Sequence, residues 1–365
     1  MKNIFIALGI VICAVGVFMI TSMGAQDRAG DTVVKIGVIG PYTGPLAQYG
    51  EAYRNGVLLA TKELGIDEDE IQFIFEDSAY DTAKAVSAYR KLVDVDQVDL
   101  VMDWGAATSY GIAPLVEGAG VPLIAFSVDP DVVKSSEYII RQFYSPDDFA
   151  ETLWAHFRAK GYKNIAIVKL KLLYYEKLTE SLQKLAQEGE TVTVVDEYQF
   201  GDNDFRTSIA KIGALDTKPD VLGVFLAGGQ IAQFYRQADQ QNIMVPTFGA
   251  DFFESYTEIA DAGGLMDGAV YANIGVTDEF VAKYEAAFGN VNQVSFAGQS
   301  YDFVKILRDK IDFENAKSII SSFHKIKNFD GILGSYTYSG ENGDQYLKSP
   351  VYLKEIVGNT ITTLR

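Results

Sequence analysis

From residue 33 onward, short and largely apolar runs alternate with longer stretches of helical spacing. The runs at 35–39, 71–75, 99–102, 122–125 and 138–141 read as strands buried on both faces of a parallel sheet. Between them, apolar positions recur every three or four residues over 52–64, 82–93 and 110–117, which predicts helices. Asp81 stands where it would cap the second of these. The alternation then restarts, with helices predicted at 147–160, 174–188, 204–215 and 230–240 and strands at 164–169, 191–198, 221–226, 245–249 and 268–272. Two more helices are predicted at 277–288 and 298–311. The segments 334–338 and 351–356 alternate apolar and polar residues, like antiparallel strands with one wet face. Strand–helix–strand order implies a parallel sheet covered by helices on both sides. The restart near residue 146 predicts a second one, so the fold class is α/β, with two doubly wound parallel-sheet lobes.

Ahead of this pattern, Met1-Lys2-Asn3 precedes an apolar run from Ile4 to Ile20 and then Thr21-Ser22-Met23-Gly24-Ala25. A positive end, an apolar stretch and small residues describe a secretory signal, with Ser22 and Gly24 placed for cleavage before Ala25. The run is also long enough for an uncleaved anchor. Segment 1–26 is therefore a signal peptide or an N-terminal anchor, and 26–32 a linker. Both readings export the rest of the chain, to the periplasm or the outer face of the cytoplasmic membrane. The sole cysteine, Cys13, lies in that run, so the exported part is expected to hold no disulfide and no thiolate metal site. Bulky Ile12 and the apolar residues beyond argue against lipidation of Cys13. A net charge of −18 disfavours nucleic acid and anionic lipid as partners.

The first turn, "IGPYTGPLAQYG", stands where many α/β proteins hold a phosphate. Its glycines, Gly37, Gly40 and Gly44, are spaced three and four apart, not as G-x-G-x-x-G, and no G-K-[ST] follows. Pro41 and Pro45 remove backbone donors that a phosphate cradle needs. No cofactor is expected. Only His156 and His324 are present, far apart in sequence, and there is no H-E-x-x-H or G-x-S-x-G. The run Asp67-Glu68-Asp69-Glu70 lacks calcium-loop spacing and reads as a solvated turn. Neither a metal site nor an enzyme activity is expected.

The stretches "VKIGVIGPYTGPLAQYGEAYRNG", "FEDSAYDTAKAVSAYRKLV" and "GAGVPLIAFSVDP", with Arg141 following, resemble the solute-binding proteins of leucine/isoleucine/valine type that serve ABC importers. The likeness runs from about Val34 to about Ile356 and is most specific at its start. It implies two lobes joined by three hinge crossovers, one built from 33–144 plus 275–325 and the other from 145–274 plus 326–365. A small solute would be gripped in the cleft between them, and a membrane permease would read closure. A monomer is expected, and an amino acid or a related amide is the first guess for the solute. A clamshell retained by its anchor and signalling to a membrane receptor is the second reading.

Carried over position by position, the resemblance implies a cleft-lining tyrosine at Tyr49, an aromatic wall at Phe296 and an acidic partner for a ligand ammonium at Asp251. Tyr174 keeps the tyrosine of the second lobe, whereas Tyr175 replaces a glycine. The serine that would grip a carboxylate falls on Ala106, beside Trp104 at the end of the third strand. Thr108 and Ser109 follow, either as an anion grip or as helix-start residues. A threonine hydroxyl of the family falls on Val128 or Asp129, and Ser127 survives beside them. Tyr301 is expected to pack between helices, and Phe252 and Phe253 are wall or core. Lys169 and Lys171 are expected to be solvated.

Overall fold

The computed structural model describes residues 33–243, 245–289, 292–340 and 343–364. The segment expected to direct export and the linker after it lie outside them. The chain first lays down β1 (Val34–Gly40), α1 (Ala47–Glu63), β2 (Ile71–Asp77), α2 (Thr82–Lys91), β3 (Leu100–Trp104), α3 (Ala106–Ala119), β4 (Leu123–Phe126) and β5 (Ile139–Arg141). It then crosses into α4 (Pro146–Lys160), β6 (Asn164–Leu170), α5 (Leu173–Lys184), β7 (Thr191–Tyr198), α6 (Arg206–Ala214), β8 (Val221–Phe225), α7 (Gln230–Gln240), β9 (Thr247–Gly249), α8 (Tyr256–Asp261) and β10 (Val270–Ile274). A return crossing leads to α9 (Asp278–Phe288), α10 (Val294–Lys310), α11 (Ala316–His324), β11 (Phe329–Gly331), β12 (Gly334–Ser339) and β13 (Tyr346–Lys348). The last crossing leads to β14 (Val351–Val357) and β15 (Thr360–Thr363).

Two mixed sheets result, in the orders β11-β12-β13-β5-β4-β3-β1-β2 and β15-β14-β10-β9-β8-β6-β7. Pairing from β2 to β13 is parallel, as is pairing from β7 to β10, and the antiparallel strands sit at one edge of each sheet. In each lobe the first strand is flanked by the second on one side and the third on the other. That reversal opens a crevice beyond the carboxyl ends of the strands. The crossovers lie at 142–145, 275–277 and 349–350.

Local chemistry explains the elements. Asp81 accepts from the Lys84 amide as the expected cap of α2, and Ser145 caps α4 ahead of Pro146. The opening turn spends its free amides internally. The Asp77 carboxylate accepts from Tyr42 N (2.8 Å), Thr43 N (3.2 Å) and Thr43 Oγ1 (2.5 Å), so a side chain occupies the place a phosphate would need. Helix α10 returns to the first lobe and crosses α1 at Gly56, where a Cβ would stand 2.0 Å from the Ala297 carbonyl oxygen. Tyr301 packs there on Phe280 and donates to Glu63 at 2.8 Å.

The lobe boundary differs from expectation at one place. Residues 329–348, expected in the second lobe, extend the first sheet: β13 pairs with β5 through Tyr346 and Arg141. The reason is a buried charge. Arg141 is fully buried and needs a partner, which Asp344 supplies in bidentate fashion (3.1 and 2.5 Å). The same guanidinium donates to the carbonyls of Ser127, Phe143 and Tyr144 and lies over the Tyr346 ring. Arg141 therefore pins the first crossover to the strand that precedes the last one. Helices α8 and α11 and strands β11, β13 and β15 were not anticipated from periodicity.

Candidate functional site

The second lobe contributes the turn after β9, where Asp251, Phe252 and Phe253 form one turn of 3-10 helix. Asp251 is 2 % exposed. Its Oδ1 accepts from Tyr174 Oη at 2.5 Å, and Tyr174 Oη lies 2.6 Å from Tyr144 Oη. With the Tyr174 proton given to the carboxylate, Tyr144 donates to Tyr174. A hydroxyl chain thus runs from the first crossover to the acid. Burial pushes the Asp251 carboxyl up to about 7; the Tyr174 hydroxyl and the Phe252 amide oppose this, and the Glu254 charge adds to it. Burial likewise raises the Tyr174 and Tyr144 phenols well above their ordinary value.

The first lobe contributes the turn after β3. Gly105 has φ +142°, and a Cβ there would meet the Tyr80 ring at 2.7 Å, so only glycine fits this bend. Trp104 precedes the bend and Ala106 opens α3 after it. Trp104 stacks on Phe126 (5.7 Å between centroids) and takes Tyr80 edge-on (5.9 Å). Its indole Nε1 is buried without a hydrogen-bond partner.

These turns meet around a small cavity of about 20 Å³, room for one water-sized group, lined from both lobes. Trp104, Ala106, Tyr174 and Asp251, all expected from sequence, line it. Tyr49 and Phe296 stand one layer behind. Tyr49 packs on Trp104 (6.3 Å) and across the cleft on Phe252 (4.6 Å), and Phe296 packs on Trp104 (5.5 Å). Phe252 is wall, whereas Phe253 packs on Tyr235 and Tyr271 in the second lobe.

At four places the geometry departs from expectation or chooses between two readings. The Thr108 hydroxyl donates to buried Asp103 Oδ2 at 2.8 Å, and Ser109 does the same at 2.7 Å, so both face the strand beneath rather than the cavity. Ser127 Oγ accepts from the Asp129 amide, closing its own turn. Asp129 accepts from the Asp131 amide and pairs with Lys177 of α5 at 3.6 Å, a contact between lobes; its neighbour Val128 is the one that lines the cavity. Lys169 is not solvated: it is 2 % exposed and paired with Glu176 (2.5 Å) and Glu197 (3.0 Å). Lys171 is exposed as expected.

Sequence reasoning missed Tyr80, Phe126 and Phe143 as wall residues. Each follows or ends a strand of the first lobe, or lies in the crossover, so their position at carboxyl ends was a usable signal. Tyr144 carried no such signal, because its partner lies 30 residues away.

Two parallel-centred α/β lobes, joined by three crossovers and meeting at a cavity lined from both, define a hinged binding protein. The chain belongs to the periplasmic binding protein family, whose model matches residues 33–360. It is 28% identical over 260 residues, 68% of either chain, to the leucine-, isoleucine-, valine-, threonine- and alanine-binding protein of Pseudomonas aeruginosa. The fold is that of a leucine-binding protein from Thermotoga maritima, with TM-score 0.79, 22% identity and coverage of 91% of this chain and 98% of that one. A solute-binding protein of an R. palustris ABC transporter, solved with benzoate, is equally similar, with TM-score 0.80, 22% identity and coverage of 91% and 96%. Among the described residues no helix is long and apolar enough to cross a membrane.

Proposed function

We propose that this chain is an extracytoplasmic solute-binding protein that captures a small solute by hinge closure and presents it to the permease of an ABC importer. The observation carrying this reading is the cavity shared by Trp104 and Ala106 of one lobe and Tyr174, Asp251 and Phe252 of the other. A solute touching both walls binds the closed form better than the open one and so shifts the population toward closure. Closure also excludes water, which strengthens hydrogen bonds and charge pairing within. Family membership supports the transport reading, and the P. aeruginosa relative's amino-acid ligands keep amino acids and amides in the first panel to test. Export by the N-terminal apolar segment completes the proposal.

The test is a thermal-shift screen of the protein, as the cell processes it, against amino acids, amides, amines and aromatic acids. A true ligand at 100 times its Kd adds ~2.7 kcal/mol of stability. It should also contract the particle in solution scattering, and cells lacking the chain should lose uptake of the same solute. A ligand that stabilises without contraction would defeat the hinge mechanism.

A further inference from the structure

Resting on the solute-binding reading, we infer that the cleft, once its lobes part beyond the water-sized space they now enclose, is built for a small organic monocation, an amine without a carboxylate, held by Asp251 within an aromatic cage. Three observations lead there. The first is the charge inventory. The cavity wall holds one ionisable acid, Asp251, and, among the described residues, no lysine, arginine or histidine. The groups acting on Asp251 are Tyr174, the Phe252 amide and Glu254, and the phenols of Tyr49, Tyr80, Tyr144 and Tyr175 feel its charge in turn. The nearest bases are committed elsewhere. Lys354 is buried against Glu254 at 2.6 Å, Arg141 is locked to Asp344, and Lys177 sits with Asp129.

The second is the missing anion grip. A carboxylate needs donors, and the hydroxyls near this wall are withdrawn. Ala106 and Val128, which carry no hydroxyl, line the cavity, while Thr108 and Ser109 donate to Asp103. A carboxylate entering here would find no lysine, arginine or histidine in the wall to offset its charge.

The third is the wall itself. Trp104, Phe126, Phe143, Tyr80, Tyr174 and Phe252 present ring faces and edges around one buried carboxyl. Aromatic faces attract ammonium groups, the more so when water is excluded. The lone Trp104 indole N–H remains to meet a hydroxyl or carbonyl on the same solute. Because burial pushes the Asp251 carboxyl up to about 7, a cation entering below that pH displaces its proton to solvent and takes its place. Binding thus exchanges one positive charge for another.

Calorimetry on the processed full-length protein with matched probes tests this: 2-phenylethylamine, phenylalanine and phenylacetate, and 3-methylbutylamine, leucine and 3-methylbutanoate. The amines should bind at least tenfold tighter than the parent amino acids, and the acids should not bind. Affinity for the amine should rise up to tenfold per pH unit below about 7 and level off above it, with a proton released on binding. Asp251→Asn should cost the amines at least 100-fold and abolish the pH dependence. Phe252→Leu should weaken the amines several-fold with the pH profile kept. Leucine, phenylalanine or an aromatic acid binding better than its amine would overturn this inference and leave solute capture standing. Binding by none of the six, nor by any solute of the wider panel, would overturn both.

Discussion

The two faces of the cleft make the same structural choice and reach opposite chemical results. Each ends a parallel strand in a tight turn and buries an aspartate there, Asp103 in the first lobe and Asp251 just after β9 in the second. Burial pushes both carboxyls up to about 7. Asp103 turns inward, where its Oδ2 accepts from Thr108 and Ser109 of the following helix while its Oδ1 stays buried without a partner, and the face above it is an aromatic, neutral wall. Asp251 lines the cavity and takes only Tyr174 among side-chain donors, so its charge is available to a guest. A buried acid becomes a site when the chain leaves its partner set incomplete on the side of the cavity. Glu254, three residues beyond Asp251 and equally buried, shows the completed case: it accepts from Tyr271, Asn273 and Lys354.

The sharpest way to break this comparison is to turn the completed acid into an incomplete one. Lys354→Met leaves Glu254 buried without its cation and should cost ~3–5 kcal/mol in urea unfolding, with Glu254→Gln restoring a large part in the double variant. Asp103→Ala comes next. It strands the hydroxyls of Thr108 and Ser109 and should cost ~2–3 kcal/mol, whereas Asp251→Asn should cost less than half as much. Equal losses would mean that the two acids serve the same structural end.

The pH dependence sharpens the comparison further. Both carboxyls sit above the ordinary value near 4, so between pH 4 and 7 the folded protein binds more protons than the unfolded chain. Stability therefore falls as pH rises through that window, by up to ~1.4 kcal/mol per unit for each group. Asp103→Asn and Asp251→Asn should each flatten the slope, and a saturating amine should flatten only the part due to Asp251. Urea midpoints at pH 5, 6 and 7 decide it. The smallest effect concerns the rim. Lys177→Ala removes a pair with buried Asp129 across the lobes at the partly exposed rim and should shift closure by ~0.5–1 kcal/mol, an effect that fades with salt and is readable by solution scattering.

Much of the fold was legible because periodicity reports burial. Strand 191–198 and helix 230–240 fall where spacing placed them, and the antiparallel character of 334–338 and 351–356 was visible in their alternation. The short strand β13 was not legible. Three residues carry no period, and what holds them is Arg141, more than 200 positions earlier. Of the residues that line the cavity, Trp104 was singled out by its place at the end of the third strand, and Tyr174 and Asp251 by what the family resemblance implies. Thr108, Ser127 and Asp129 could not be placed from sequence, because a hydroxyl or carboxyl near a strand end looks alike whether it faces a guest or closes its own turn.

The order of apolar and polar residues was enough to settle two parallel-sheet lobes and an opening turn unsuited to phosphate, since each follows from local spacing and composition. Which lobe owns β11 to β13, which of the three buried acids has a cation, and which hydroxyls face the cleft were decided only in three dimensions. Those answers depend on partners distant in sequence, whose meeting costs chain entropy that local pattern does not encode.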